Sequence, residues 1–174
     1  MSQLLRFVIK KHHSKRLHYD FRLELNGVLI SFVIVEGPSA DPLTNRPAIP
    51  AAKHDLEYIY SERLIPEGYY GAGPTMVWDW GLWMPCCDNP AEALQEGKLE
   101  FELYGERVRG RWILSENDNK WGLMKLMDEH AQLGDFNGLV TKYTTSVKTG
   151  RTMEDIRDGK SERKNQDVQL SFWG

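Results

Sequence analysis

His18, Asp20 and Arg22 stand at every second position of the stretch "LHYDFRLEL", Leu17 to Leu25, and two further histidines, His12 and His13, precede them. Imidazole nitrogen and carboxylate oxygen are donors that a first-row divalent cation accepts, and a guanidinium presents a planar fork to an oxyanion. On an extended strand, residues two apart point the same way, with Cα atoms about 6.6 Å apart. His18 and Asp20 can therefore reach one ion. A third ligand, His12 or His13, would leave coordination positions open for water and a bound molecule. Arg22, one step along the same face, would hold an anionic group beside that ion.

Such a set needs a strand, and the intervening residues supply one. Leu17, Tyr19, Phe21, Leu23 and Leu25 give the stretch an apolar second face. Asn26-Gly27 has the chemistry of a hairpin turn. The next stretch, "GVLISFVIVEGPS", is an almost continuous apolar run ended by Gly-Pro, which predicts a strand covered on both faces. "ADPLTNRPAIPAAKHD" reads as a loop that places His54 at or just after a short edge strand. Further strands are expected at "TMVWDWGLWM", "KLEFELYG", "ERVRGRWILSE" and "KWGLMKLMDE". Helix punctuation is clear in "NPAEALQEG", with Asn89 as N-cap, Pro90 in the first turn and Gly97 past the end. The fold class expected is mainly β, a barrel or sandwich in a single domain, with one or two short helices.

The 174 residues, 41% hydrophobic and 27% charged, fit one globular domain. No apolar run approaches a membrane span, and "MSQLLRFVIKKHH" lacks the pattern of a secretory signal, so no membrane partner is expected. Cys86 and Cys87 are adjacent, which suits neither a structural disulfide nor a metal finger, and a cytoplasmic location is expected. The net charge of -3 excludes coating of nucleic acid by bulk electrostatics. Between Arg6 and Arg22, however, six cations face Asp20 alone, a local patch suited to gripping one phosphate-bearing end. Past His130 the chain turns polar. The expected division is a barrel domain over residues 1–131 and a partly ordered arm or linker over 132–174, with a brief helix at Met153 to Arg157. The closing "VQLSFWG" is apolar enough to dock on the barrel or on a neighbouring molecule.

Taken together, "FVIKKHHSKRLHYDFRLELNGVLISFVI", "EGPS", "HDLEY", "IPEGYYGAG" and "VWDWG" resemble the 3'-phosphoesterase domain of prokaryotic DNA ligase D. The similarity runs from about Arg6 to Ala131, and "SVKTGRTMEDI" is similar to the segment following that domain. The resemblance implies a β-barrel with an active-site groove on its outer surface. It also implies a manganese-dependent hydrolase, with other divalent transition metals as substitutes. Such an enzyme acts as a 3'-ribonuclease and 3'-phosphatase on DNA or DNA/RNA primer-template ends in non-homologous end joining, alongside ligase and polymerase components. Carried over by position, the metal ligands fall on His12, His18 and Asp20, and the phosphate contacts on Arg22, Arg46, His54 and Tyr58. Arg22, His54 and Tyr58 are the catalytic candidates among these. His13 is then solvated or an outer neighbour of the ligands, and His130 a surface histidine.

The pattern is broken where the family usually has Lys before Gly-Pro-Ser and this chain has Glu36. It is broken again at Ala52, where an acidic residue usually stands. A carboxylate at position 36 beside a phosphate would oppose it, so Glu36→Lys is expected to tighten binding of 3'-phosphate ends, unless Glu36 pairs with a cation such as Arg46 or acts as an additional metal ligand. Two other functions fit parts of the pattern. One is a non-catalytic end-binding module that lost turnover through Glu36 and Ala52. The other is a non-haem iron oxygenase using His18, Asp20 and His54. Met1 and the single-domain length fit a stand-alone protein.

Overall fold

Alternating apolar positions on antiparallel strands roll the sheet into a closed barrel in a computed structural model, which describes residues 3–163. The strands are β1 (Leu5–His13), β2 (Leu17–Leu25), β3 (Val28–Ile34), β4 (Arg46–Asp55), β5 (Arg63–Ile65), β6 (Gly73–Pro85), β7 (Lys98–Gly105), β8 (Arg109–Asn117) and β9 (Lys120–Lys125). Eight of them follow the order β1-β2-β3-β4-β9-β8-β7-β6, and β6 returns to pair with β1. The short β5 adds to the start of β6, where Arg63 faces Thr75. Closure leaves the ring without an open edge. Three short helices complete the fold: α1 (Pro90–Gln95), α2 (Gly138–Lys142) and α3 (Met153–Arg157). Among the described residues no helix is long and apolar enough to cross a membrane.

The inward face is set by the parity read from β2. Tyr19, Phe21, Leu23 and Leu25 are buried together with Phe7, Ile9, Phe32, Trp78, Trp83, Phe101 and Trp112. Leu17 is the exception, exposed at the strand's first position. Asn89 caps α1 by accepting from the Glu92 N–H, and Thr152 and Asp155 form a capping box on α3.

Two strands depart from the sequence reading. The segment before the first hairpin is a full strand, β1, paired with both β2 and β6. The Pro-rich stretch read mainly as loop contains β4, ten residues long. Its prolines survive because each half is paired on one side only. Arg46 to Ala48 face β9, and Ile49 to Asp55 face β3.

The outer face of the first hairpin is covered rather than solvated. Val8, Leu29 and Val77 point outward and form a second apolar cluster with Ile59, from the segment that follows a 3-10 turn at Leu56–Tyr58. The chain past residue 131 reinforces this cover. The Val147 N–H donates to the Val77 carbonyl at 3.0 Å. Glu62 accepts from the Val77 N–H, from Arg151 and from the Thr149 hydroxyl. Trp78 donates its indole N–H to the Tyr143 carbonyl at 2.7 Å. The stretch "VQLSFWG" lies outside the described residues.

Candidate active site

The register of the first hairpin sets His12 opposite His18, Lys10 opposite Asp20 and Val8 opposite Arg22. Paired residues share a face, so one strip of the outer surface carries all these polar groups. His12 Nδ1 lies 3.6 Å from Asp20 Oδ2, His18 Nε2 lies 3.4 Å from the same oxygen, and Arg22 Nη2 lies 3.7 Å from it. One donor atom from each of His12, His18 and Asp20 falls within 4.8 Å of the others. The geometry therefore groups His12, rather than His13, with His18 and Asp20. The His13 imidazole instead meets the Arg157 guanidinium at 3.1 Å.

Each histidine is oriented by its other nitrogen. His12 Nε2 meets the Gly71 carbonyl at 2.6 Å, and His18 Nδ1 meets the Arg16 carbonyl at 3.0 Å. In the neutral ring a nitrogen bonded to a carbonyl carries the proton, which leaves the opposite nitrogen free to ligate, whereas in the protonated ring that nitrogen donates to Asp20. Two imidazoles and one carboxylate, held in this way, form a donor set that suits a divalent transition ion. Gly71 is required for the His12 contact: its φ is +76°, and an added Cβ would stand 3.1 Å from His12 Cε1.

The charges of the strip are strongly coupled. Burial pushes the Asp20 carboxyl upward, but hydrogen bonds from His12 and His18 and the Arg22 charge override it and hold it well below the usual carboxylate range. The hydrogen bond to Asp20 raises His18. Lys10, only 3% exposed, is pushed down to about 7 by burial and then by Arg22. Its ammonium donates to the Tyr58 carbonyl at 2.8 Å and to Ser61 Oγ at 2.9 Å. Lys10 therefore ties the covering segment to the strip that carries His12, His18 and Asp20. The sequence reading counts it only as part of a basic patch, although stepping back two residues from His12 finds it on the same face.

Among the described residues, two polar atoms here have no hydrogen-bond partner. Arg22 Nε and Ser31 Oγ are buried, and Arg22 and Ser31 are paired across β2 and β3. Buried polar atoms are nearly always satisfied, so this unpartnered pair stands out on the strip. Ser31, hidden inside an apolar run, has no signal in the sequence.

His54 reaches this face by a bulge. Counting by twos from Ala51, which pairs with Ser31, would turn His54 toward the barrel interior. Two residues of β4 oppose the single Ile30 of β3, so His54 pairs with outward-facing Leu29. Burial, followed by the Arg22 charge, lowers the His54 pKa. Tyr58 ends the 3-10 turn half-exposed, its carbonyl held by Lys10. His54 is not part of the ligand cluster, so the His18–Asp20–His54 triad is not assembled. His130 is a surface residue beside Glu129.

Arg46 is not brought to the strip. It shares the inward parity of Ala48, and its guanidinium binds Glu36 at 2.5 Å, the Phe136 carbonyl at 2.8 Å and Asn137 Oδ1 at 2.5 Å. Glu36, in the turn after β3, spends its carboxylate on Arg46 and does not face Arg22. The expected outcome of Glu36→Lys changes accordingly. Arg46 is buried, so an ammonium in place of its partner should cost about 1–2 kcal/mol, discounted from a buried pair because Glu36 itself is largely exposed. Urea unfolding measures this directly. Undiminished stability together with tighter 3'-phosphate binding would restore the reading in which Glu36 opposes the phosphate.

Comparison with known proteins follows the same residues. The family model described as the DNA Ligase D 3'-phosphoesterase domain matches residues 10–116. A "Multifunctional non-homologous end joining protein LigD" from Pseudomonas aeruginosa is 42% identical over 155 residues, covering 86% of this chain and 18% of that protein. The protein of the same name from Mycolicibacterium smegmatis is 37% identical over 153 residues, covering 79% of this chain and 20% of that protein. In Mycobacterium tuberculosis, a "Multifunctional non-homologous end joining DNA repair protein LigD" is 35% identical over 143 residues, covering 80% and 18%. The chain spans about a fifth of the length of these relatives. On the match across β1 to β8, which takes in all three candidate ligands, the chain belongs to the DNA ligase D 3'-phosphoesterase domain family.

Proposed function

We propose that the protein is a manganese-dependent phosphoesterase that heals 3' ends of DNA or DNA/RNA primer-templates for non-homologous end joining. It would remove a 3'-phosphate and trim a 3'-terminal ribonucleoside, leaving a hydroxyl that ligase and polymerase components can use. The observation that carries this reading is the convergence of His12, His18 and Asp20 within 4.8 Å of one another beside the Arg22 guanidinium. When bound there, the ion would supply a Lewis acid for a phosphoryl oxygen and make a water more acidic. Arg22, its guanidinium beside Asp20, offers its fork to the equatorial oxygens where charge gathers during displacement. His54 lies on the outer face beside Arg22, and Tyr58 is tied to the strip through its carbonyl, from where its phenol would donate to a phosphate oxygen. With its pKa lowered, His54 enters neutral at pH 7, suited to accept a proton or to donate one N–H to the phosphate. Lys10 fixes the Tyr58 backbone and so holds that side of the site in place.

The test is phosphate release from a 3'-phosphate primer-template with manganese, magnesium or chelator. Release with manganese and its loss on chelation are the expected results. A folded, manganese-loaded protein that holds the 3'-phosphate end without turnover would establish the non-catalytic end-binding module instead.

A further inference from the structure

The loop between β5 and β6 joins the ligand cluster to two exposed aromatic rings. The Tyr69 N–H donates to the Pro66 carbonyl at 3.3 Å and the Ala72 N–H to the Tyr69 carbonyl at 3.2 Å, so consecutive turns hold the loop's shape. Those turns direct Tyr69 and Tyr70 outward. Tyr69 is 70% exposed and Tyr70 104%. A tyrosine can bury 150–250 Å² in a core or an interface, and two neighbouring rings here leave that area in solvent. Their position is fixed relative to the cluster, because the carbonyl of the next residue, Gly71, meets His12 Nε2 at 2.6 Å. Covalent geometry alone then keeps the Tyr70 Cα within about 9 Å of the His12 ring. The loop also lies against the β1–β2 turn: an added Cβ on Gly73 would meet the His13 carbonyl at 2.0 Å and Ser14 Cα at 3.5 Å. That turn carries Lys15 and Arg16, both exposed.

Aromatic rings next to exposed cations are the footprint of a single-stranded nucleic acid, whose bases stack while its phosphates are neutralised. We propose that Tyr69 and Tyr70 form a stacking platform for the terminal bases of a frayed or single-stranded 3' end, with Lys15 and Arg16 holding its backbone. This inference rests on the phosphoesterase reading, since it assumes that the 3'-phosphate sits at the cluster. The platform would make the protein prefer ends whose last base is free to leave the duplex. Stacking tolerates every base, so little sequence preference accompanies it.

Fluorescence anisotropy with a labelled 3'-phosphate single strand, in chelator so that no turnover intervenes, tests the proposal. Tyr70→Ala should weaken binding about tenfold, while Tyr70→Trp should bind as tightly as the wild type. On a strand whose two terminal nucleotides are abasic, wild type and Tyr70→Ala should bind equally. The proposal is overturned if Tyr70→Ala binds the intact strand as the wild type does, or if it loses as much on the abasic strand. A folded wild type that, with manganese restored, shows no preference for a strand ending in a non-hydrolysable 3'-phosphonate over a 3'-hydroxyl strand, yet still loses affinity on Tyr70→Ala, would support the platform and remove the phosphate from the cluster. Absence of wild-type binding to either strand overturns both readings.

Discussion

Asp20→Ala is expected to abolish manganese-dependent phosphate release and to lower manganese affinity by more than a hundredfold. Loss of an outer partner of a ligand already costs about 10–100-fold, and Asp20 is the anionic donor shared by the whole cluster. The substitution also reaches the fold. Asp20 is the near countercharge of a largely buried Arg22, and without it that guanidinium stands uncompensated. A cost of about 2–4 kcal/mol follows for the ion-free protein, below the typical 5–15 kcal/mol of a domain, so the barrel should remain folded. Asp20→Asn keeps the volume and one acceptor, and should recover much of the stability without the metal affinity. Titration calorimetry with manganese, beside a phosphate-release assay, separates the two effects. Wild-type manganese affinity in a folded Asp20→Ala protein would remove the metal assignment.

Arg22→Ala should divide turnover from metal binding. Removing one preorganised donor to a charged transition state costs about 10²–10³ in rate. The guanidinium makes no bond to an imidazole, so manganese affinity should fall less than tenfold. Arg22→Lys should recover little, because a point charge cannot replace a planar fork. Equal losses of affinity and rate in Arg22→Ala would show that its work is to orient Asp20, 3.7 Å away, rather than to hold phosphate.

The hairpin that carries the cluster was legible because two signals agree there. Period-two alternation marks β2, and Asn26-Gly27, both at positive φ, marks the turn that follows it. β1 was less legible: "KKHH" reads as polar chain, and only the barrel shows that Lys10 and His12 lie beneath a covering segment. β4 was hidden by Pro47 and Pro50, which strand propensities count as breakers and partial pairing tolerates. Parity also failed for His54, since a bulge is a tertiary feature that the order of residues does not announce. Arg46 is the reverse case: the motif nominates it for phosphate, while its inward parity and its bond to Glu36 assign it to the barrel end.

All three proposed ligands come from one hairpin, residues 12 to 20, whereas the strand carrying His12 joins the ring on its other side only by pairing with β6, where His12 stands opposite Thr75. During synthesis the ligands would leave the ribosome within nine residues of each other, long before β6 exists. A hairpin of this kind closes in about 1–10 μs, while pairing across a long intervening chain is slow. An ion available to the nascent chain would therefore meet its donors at the earliest stage and hold β1 against β2 until the last stave arrives. Metal supply would then influence the yield of folded protein, and a chain made in metal-poor cells would reach the barrel more slowly.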